Sequence, residues 1–334
     1  MSNPKKSIDQ ELVAAADALF FDTPVNPRKA KRGLRSLPKA RGSSAMTTRS
    51  MSAGDVREKL SGLARRVPEV TVKISGASTG MGRLRAHLSY ISRNGQIQLE
   101  DQDGMSVEGR DELGELREDW RSGGFPIPEQ GSAREALHLV LSMPAGTSEL
   151  GLQRAVRDFA ADEFGGHQYV MALHTVATDP DPQPSPHPHV HLTVKMRSID
   201  GGRLNPRKGD LHRWRLQFAQ ALGDNGIEAS ATRRSARMQR EPGEQQRVRQ
   251  MKQRGVSPQR VRRRIPSGEA QRLGERSDAV VRGRWETLFE VLDRSEESTD
   301  KEFSRSLAIR FKLGSGRGEK APEMHGPRTN GRDR

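Results

Sequence analysis

The stretch His187-Pro188-His189-Val190-His191-Leu192-Thr193-Val194 decides how this chain is read. Successive side chains of a strand point to opposite faces. His187, His189 and His191 therefore share one face, and Val190, Leu192 and Val194 share the other as core. A second apolar run lies upstream, Tyr169-Val170-Met171-Ala172-Leu173-His174-Thr175-Val176. If the two runs are neighbouring strands, His174 joins the histidine face. Three imidazoles can hold one divalent ion and leave positions open for a substrate. Structural zinc is the competing reading, weakened because the chain has no cysteine, the usual structural zinc ligand. Isolated histidines such as His138 and His212 are read as packed or solvated.

Composition narrows the function classes. The chain has 334 residues, 57 Lys+Arg against 43 Asp+Glu, and a net charge of +14. Only 32% is hydrophobic, and 30% is charged. That is too little apolar material to bury the whole length, so long segments are expected to be disordered. The basic excess points to a polyanion, most simply nucleic acid. Absence of cysteine fits a cytosolic protein. No apolar run approaches membrane-spanning length, and Met1 to Phe21 lacks a signal-peptide core, so no membrane insertion is expected.

Three segments are expected: a basic flexible arm over 1–67, a core domain over 68–240, and a basic, largely disordered or helical region over 241–334. The arm carries Pro27 to Arg32 and Lys39 to Arg41, and a short helix is predicted over Asp9 to Phe20 with Leu12, Ala15, Ala16 and Leu19 at helical spacing. Beyond Thr232 the basic point is Arg260 to Arg264. A short amphipathic helix over Trp285 to Leu292 is the apolar feature of a C-terminal third that is expected to lack a core.

Within the central segment, Val70 to Ile74, Gln96 to Leu99, Ala136 to Ser142 and the two histidine-bearing runs read as strands. Gly76 to Gly82 reads as a loop. Helices are predicted over Arg83 to Ser92, Val107 to Arg121, Ser148 to Phe164 with Leu150 on the apolar stripe, and Asp210 to Leu222. Ile227 to Thr232 reads as a last strand. The proline-rich stretch Asp179 to Pro186 cannot pair in a sheet. The fold class is α+β: a mainly antiparallel central sheet flanked by helices, with disordered basic N- and C-terminal segments.

A metal site on a basic protein suggests phosphodiester chemistry, which needs a nucleophile. The chain has two tyrosines. Tyr169 sits on a strand facing away from His174 and reads as packing. Tyr90 ends a helix beside Ser92-Arg93-Asn94-Gly95, with Arg83 and His87 on neighbouring turns. A tyrosine that attacks a phosphodiester forms a covalent phosphotyrosine that can be resealed.

Pro188-His189-Val190-His191 with upstream His174 resembles the third motif of conjugative relaxases, the superfamily with histidine–hydrophobic–histidine metal sites. His87-Leu88-Ser89-Tyr90-Ile91-Ser92-Arg93-Asn94-Gly95 is similar to the first motif of the VirD-type mobilization relaxases, which carries the nucleophilic tyrosine. Leu141-Ser142-Met143-Pro144-Ala145-Gly146-Thr147 resembles the second, a strand-end serine associated with DNA contact. The motifs stand in family order and span about 69–232. Family members commonly carry an acid two or three residues after the first histidine, where this chain has Val176 and Ala177. Asp179 or Asp181 is the nearest substitute, and His187 is an alternative ligand.

The resemblance implies a relaxase-type palm in which His174, His189 and His191 hold Mg²⁺ or Mn²⁺. It implies that Tyr90 nicks an origin of transfer, single-stranded at the nick site, and that Arg93 and Ser142 position the DNA backbone. It further implies relaxosome accessory proteins, a type IV secretion coupling protein read by a tail such as Lys301 to Arg334, and a bacterial cytoplasmic location with passage into a recipient cell. A rolling-circle replication initiator or related transposase shares the metal motif. A noncatalytic basic DNA-binding accessory protein would explain the charge but not the histidine strand with Tyr90.

Overall fold

The computed structural model describes residues 7–20, 51–234, 236–238, 251, 254–256 and 268–313. The chain divides into two compact units: Arg66–Ala231, and a second unit built from the flanking segments Met1–Arg65 and Thr232–Arg334. The basic runs at 27–32, 39–41 and 260–264, and residues 314–334 of the expected tail, lie outside the described residues.

In the Arg66–Ala231 unit, β1 (Thr71–Ser78), β2 (Leu99–Asp101), β3 (Ser106–Val107), β4 (Ala136–Ser142), β5 (His167–His174) and β6 (His189–Ser198) form a sheet in the order β1-β4-β6-β5-β2-β3. Every pairing is antiparallel. The histidine strand β6 is therefore central, between β4 and β5. It begins at His189, which corrects the expectation that His187 shares its face. Pro188 has no N–H to give to a ladder, so pairing starts after it.

Alternation along β6 sorts the chemistry. Val190, Leu192, Val194 and Met196 enter a core with Leu152, Val156 and Phe159 of α5 (Glu149–Phe164) and Trp214, Phe218 and Leu222 of α6 (Lys208–Asp224). Ser148 caps α5 by accepting from the Gly151 N–H at 3.2 Å. The opposite sheet face carries His189, His191, Thr193 and Lys195. It is covered by α3 (Met81–Ile91) and α4 (Gly109–Ser122), whose Leu84, Leu88, Ile91, Leu113, Leu116 and Trp120 pack on Ala136, Val170 and Ala172.

Further sequence expectations differ from the fold: the strand predicted over Gln96 to Leu99 is displaced to Leu99–Asp101, because the turn after α3 runs on through residues 96 and 97. Strand β1 runs on through the predicted loop to Ser78, past an irregularity between Ile74 and Gly76. The predicted strand over Ile227 to Thr232 is only an isolated bridge between Glu69 and Ser230. Leu150 is exposed, because it lies off the buried stripe of Leu152, Ala155, Val156 and Phe159.

The second unit corrects the expectation of a C-terminal third without a core. Helices α1 (Ile8–Phe20), α2 (Ala53–Ala64), α7 (Gly268–Arg294) and α8 (Ser298–Phe311) share one. Leu12, Leu19, Val56, Leu60, Trp285, Leu288, Leu292 and Leu307 are among its buried residues. No single stripe has enough apolar surface to bury alone; segments distant in sequence complete one another. The Trp285 indole N–H donates to the Ala236 carbonyl at 2.7 Å. Asp300 is fully buried and is held by the Arg57 guanidinium, Nε and Nη2 each at 2.9 Å.

That ion pair gives a test. Arg57→Met leaves a buried carboxylate uncompensated, and breaking such a pair costs about 3–5 kcal/mol. Hydrogen exchange should show α1, α2, α7 and α8 losing protection while β4, β5 and β6 keep theirs.

Candidate metal centre and nucleophile

The β5–β6 register sets His174 opposite His189 and Ala172 opposite His191. One ligand atom from each of His174, His189 and His191 falls within 4.8 Å of the others. Ring centroids lie 5.2 Å apart for His174–His189, 4.8 Å for His174–His191 and 5.2 Å for His189–His191. His174 is fully buried and His191 is 8% exposed, whereas His189 opens toward solvent. Burial pushes the His189 and His191 imidazoles below their usual range, so both present neutral rings with lone pairs.

The donor set fits a divalent cation. His189 Nδ1 donates to the His187 carbonyl at 3.0 Å, which leaves Nε2 as its free acceptor. His191 Nδ1 is buried with no hydrogen-bond partner. His174 Nδ1 lies 3.0 Å from Asp179 Oδ2, and its Nε2 lies 2.7 Å from the Ile91 carbonyl. A carboxylate on the far nitrogen is the usual way a ligand histidine is oriented. With Asp179 holding the proton on Nδ1, an ion at His174 would replace the Ile91 contact. His187 stands outside the cluster, its Nδ1 accepting from the Ala145 N–H at 3.1 Å.

The tyrosine reaches this cluster from the other layer. Tyr90 lies on the last turn of α3, 55% exposed, and its ring meets His191 edge-on at 5.8 Å and 85°. It borders a groove of about 340 Å³ with Ala86, Ser89, Arg93 and Asn94. Tyr169 is buried in the α5–α6 core, away from the histidines. After α3 the chain turns through three left-handed residues, Arg93 (φ 50°), Asn94 (φ 59°) and Gly95 (φ 86°). A Cβ at Gly95 would stand 2.5 Å from the Gly109 carbonyl oxygen, so only glycine fits there.

Arg93, a side chain rarely found in that backbone region, is held on both sides. Its Nε and Nη2 donate to the two Asp179 oxygens at 2.8 and 2.9 Å. Its guanidinium lies 4.9 Å from the Tyr90 ring centroid and donates to the Tyr90 carbonyl at 3.1 Å. The Arg93 hydrogen bonds hold the Asp179 carboxyl well below the usual carboxylate range. Tyr90, Arg93, Asp179 and His174 thus form one connected chain. Ser142 sits at the end of β4, opposite His189, with its hydroxyl 3.3 Å from the Pro188 carbonyl it donates to.

Sequence reasoning passed over the contact that joins the two layers. His87, one turn before Tyr90, stacks on His138 with ring centroids 3.5 Å apart and planes 3° from parallel. His87 Nε2 is 3.0 Å from Thr193 Oγ1, and His138 Nε2 is 3.0 Å from Ser78 Oγ. His138 stands opposite Thr193 in the β4–β6 register, two residues beyond His191, a neighbourhood that only the strand pairing reveals.

Residues 106–226 match the family described as Relaxase: MobA/VirD2-like, nuclease domain. No curated protein matches the chain. The family match supports a relaxase, the class that the sequence motifs resemble. A relaxase domain implies DNA binding and nuclease or transesterase chemistry, and the histidine triad is suited to the metal such enzymes use. The matched segment holds Ser142, His174, Asp179, His189 and His191; α3 with Tyr90, and Arg93 in the turn after it, lie before it. Among the described residues no helix is long and apolar enough to cross a membrane.

The histidine stack predicts a pH dependence. Burial pushes His87 down to about 4, and burial with the neighbouring His87 pushes His138 down to about 3. Between those values and the ordinary 6.5 the unfolded chain binds more protons than the folded one, so stability falls as pH drops through that window. His138→Phe keeps a ring to stack on but cannot take up a proton. Urea unfolding at about pH 7 and about pH 5 should show a smaller loss in this variant than in the parent chain. An equal loss in both would place the pH dependence elsewhere.

Proposed function

We propose that this chain is a DNA relaxase that nicks one strand at an origin of transfer, with Tyr90 as nucleophile, to begin conjugative transfer or mobilization. The observation that carries the reading is the exposed Tyr90 ring set edge-on to His191 of the three-histidine cluster. An attacking oxygen and a cation site on one face are what phosphodiester transesterification requires.

The Tyr90 hydroxyl gives up its proton and its oxygen bonds to phosphorus. The P–O3′ bond breaks, leaving a 5′-phosphotyrosyl strand and a free 3′-hydroxyl once that oxygen takes a proton. His174, His189 and His191 would hold Mg²⁺ or Mn²⁺, which draws charge from the nonbridging phosphate oxygens when bound. Asp179 orients His174, and Arg93, whose guanidinium lies against the Tyr90 ring, fixes Asp179. Ser142, beside His189, borders the path of the DNA backbone. The strand enters single-stranded, because a paired duplex could not bring one phosphate to a half-enclosed tyrosine.

Relaxosome accessory proteins, a type IV secretion coupling protein and a start in the bacterial cytoplasm belong to the same reading. A rolling-circle initiator would cleave a replication origin instead, so the two substrates separate these functions.

Tyr90→Phe should abolish covalent adduct and nicking while leaving single-strand binding nearly unchanged, as read by denaturing gel and by mass spectrometry of the Tyr90 peptide. An undiminished adduct would reject the nucleophile. His189→Ala and His191→Ala should each weaken Mn²⁺ binding by about 10-fold or more in calorimetric titration, and His187→Ala should do less. A larger effect at His187 would redraw the ligand set.

A further inference from the structure

Arg117 on α4 is a cation with no carboxylate partner among the described residues, and it touches the Tyr90 groove through Ser89. Its Nη2 donates to Ser89 Oγ at 2.6 Å, and Ser89 lines that groove. The Ser89 hydroxyl is already committed as a donor to the Arg85 carbonyl at 2.9 Å, so it meets Arg117 with a lone pair. Arg117 Nε is buried with no partner. Among the described residues no carboxylate pairs with Arg117, whereas its neighbour Arg85 is paired with Glu129. Burial, together with the like charge of Arg85, works against the Arg117 cation.

Arg93 is the opposite case. It lines the groove itself, but both Asp179 oxygens already neutralise it. A phosphate could recruit Arg93 only by breaking a charge-assisted fork that also orients His174. Arg117 has no carboxylate fork to lose, and an anion beside its guanidinium would relieve its repulsion with Arg85.

The geometry points to a phosphate subsite at the Arg117 guanidinium, held beside the groove by Ser89, that grips a backbone phosphodiester of the single strand beside Tyr90, while Arg93 serves Asp179 and not the DNA. This rests on the relaxase reading only in naming the ligand as a strand of DNA. The chemistry it states is recognition of a phosphate monoanion by an unneutralised guanidinium.

The test uses the full chain, a fluorescent oligo-dT and EDTA, so that no cleavage occurs. The logarithm of affinity is followed against the logarithm of salt concentration. One lost phosphate contact lowers the slope by about 0.7 for a single strand. Arg117→Gln should weaken binding and lower the slope by about that amount. Arg117→Lys should restore the slope, which also shows that the fold tolerates change at this position. Arg93→Gln should leave the slope at the parent value but weaken Mn²⁺ binding in a separate titration. A parent slope in Arg117→Gln, or a lowered one in Arg93→Gln, overturns the assignment. Inorganic phosphate at constant ionic strength should compete with oligo-dT only weakly; displacement at low phosphate concentration, lost in Arg117→Gln, would mean a free-phosphate site and reject the backbone subsite. A parent chain that binds no oligo-dT overturns the DNA reading itself, whereas a binding chain with an unmoved Arg117→Gln slope overturns this subsite alone.

Discussion

The register between β5 and β6 is the constraint on which the rest of the site depends. Side chains alternate with period two, so a slip of one residue would send His189 and His191 into the α5–α6 core and turn Val190 and Leu192 toward α3. Val190, Leu192, Val194 and Met196 prevent it, because their burial against α5 and α6 is lost in any shifted pairing. The polar cluster is thus positioned by apolar packing on the far side of the same strands. Its own polar contacts need only aim rings that are already in place.

The second layer is aimed differently. Helix α3 rests on the sheet through Leu84, Leu88 and Ile91, which fix its height but are indifferent to small rotations. Direction comes from two polar attachments. His87 meets Thr193 on β6, and Arg93 meets Asp179 in the loop that follows β5. They flank Tyr90 in sequence, one on each side. The tyrosine itself is left half exposed, held at its neighbours rather than at its own hydroxyl.

Much of this was legible in the sequence where one periodicity ruled. The alternation over His189 to Val194, the run Ala136 to Ser142, the Ser148 cap and the spacing of Leu113, Leu116 and Trp120 each depend on local pattern, and each found its place. His174 could be set beside His189 because the two strands were read as neighbours. The Tyr90 helix could be predicted, but not that it lies over the histidine face; nothing local says which sheet face a helix covers. His138 and Arg117 were invisible for a related reason. A stacked imidazole and an unneutralised guanidinium are defined by what approaches them from distant segments, and neither breaks the pattern of its own strand or helix. The helical unit was missed because its core is shared among stripes that each look too short.

That shared core has a consequence for the order of events at the ribosome. The chain is made from its N-terminus, and domains generally fold as units while synthesis proceeds. Helices α1 and α2 emerge before the sheet, yet Leu12, Leu19, Val56 and Leu60 bury themselves partly against Trp285, Leu288 and Leu292, which are made after it. The sheet with its histidines and Tyr90 lies between, and Arg66–Ala231 is complete before those partners exist. The Arg66–Ala231 unit can therefore acquire its shape while α1 and α2 still wait for α7 and α8 to complete their core.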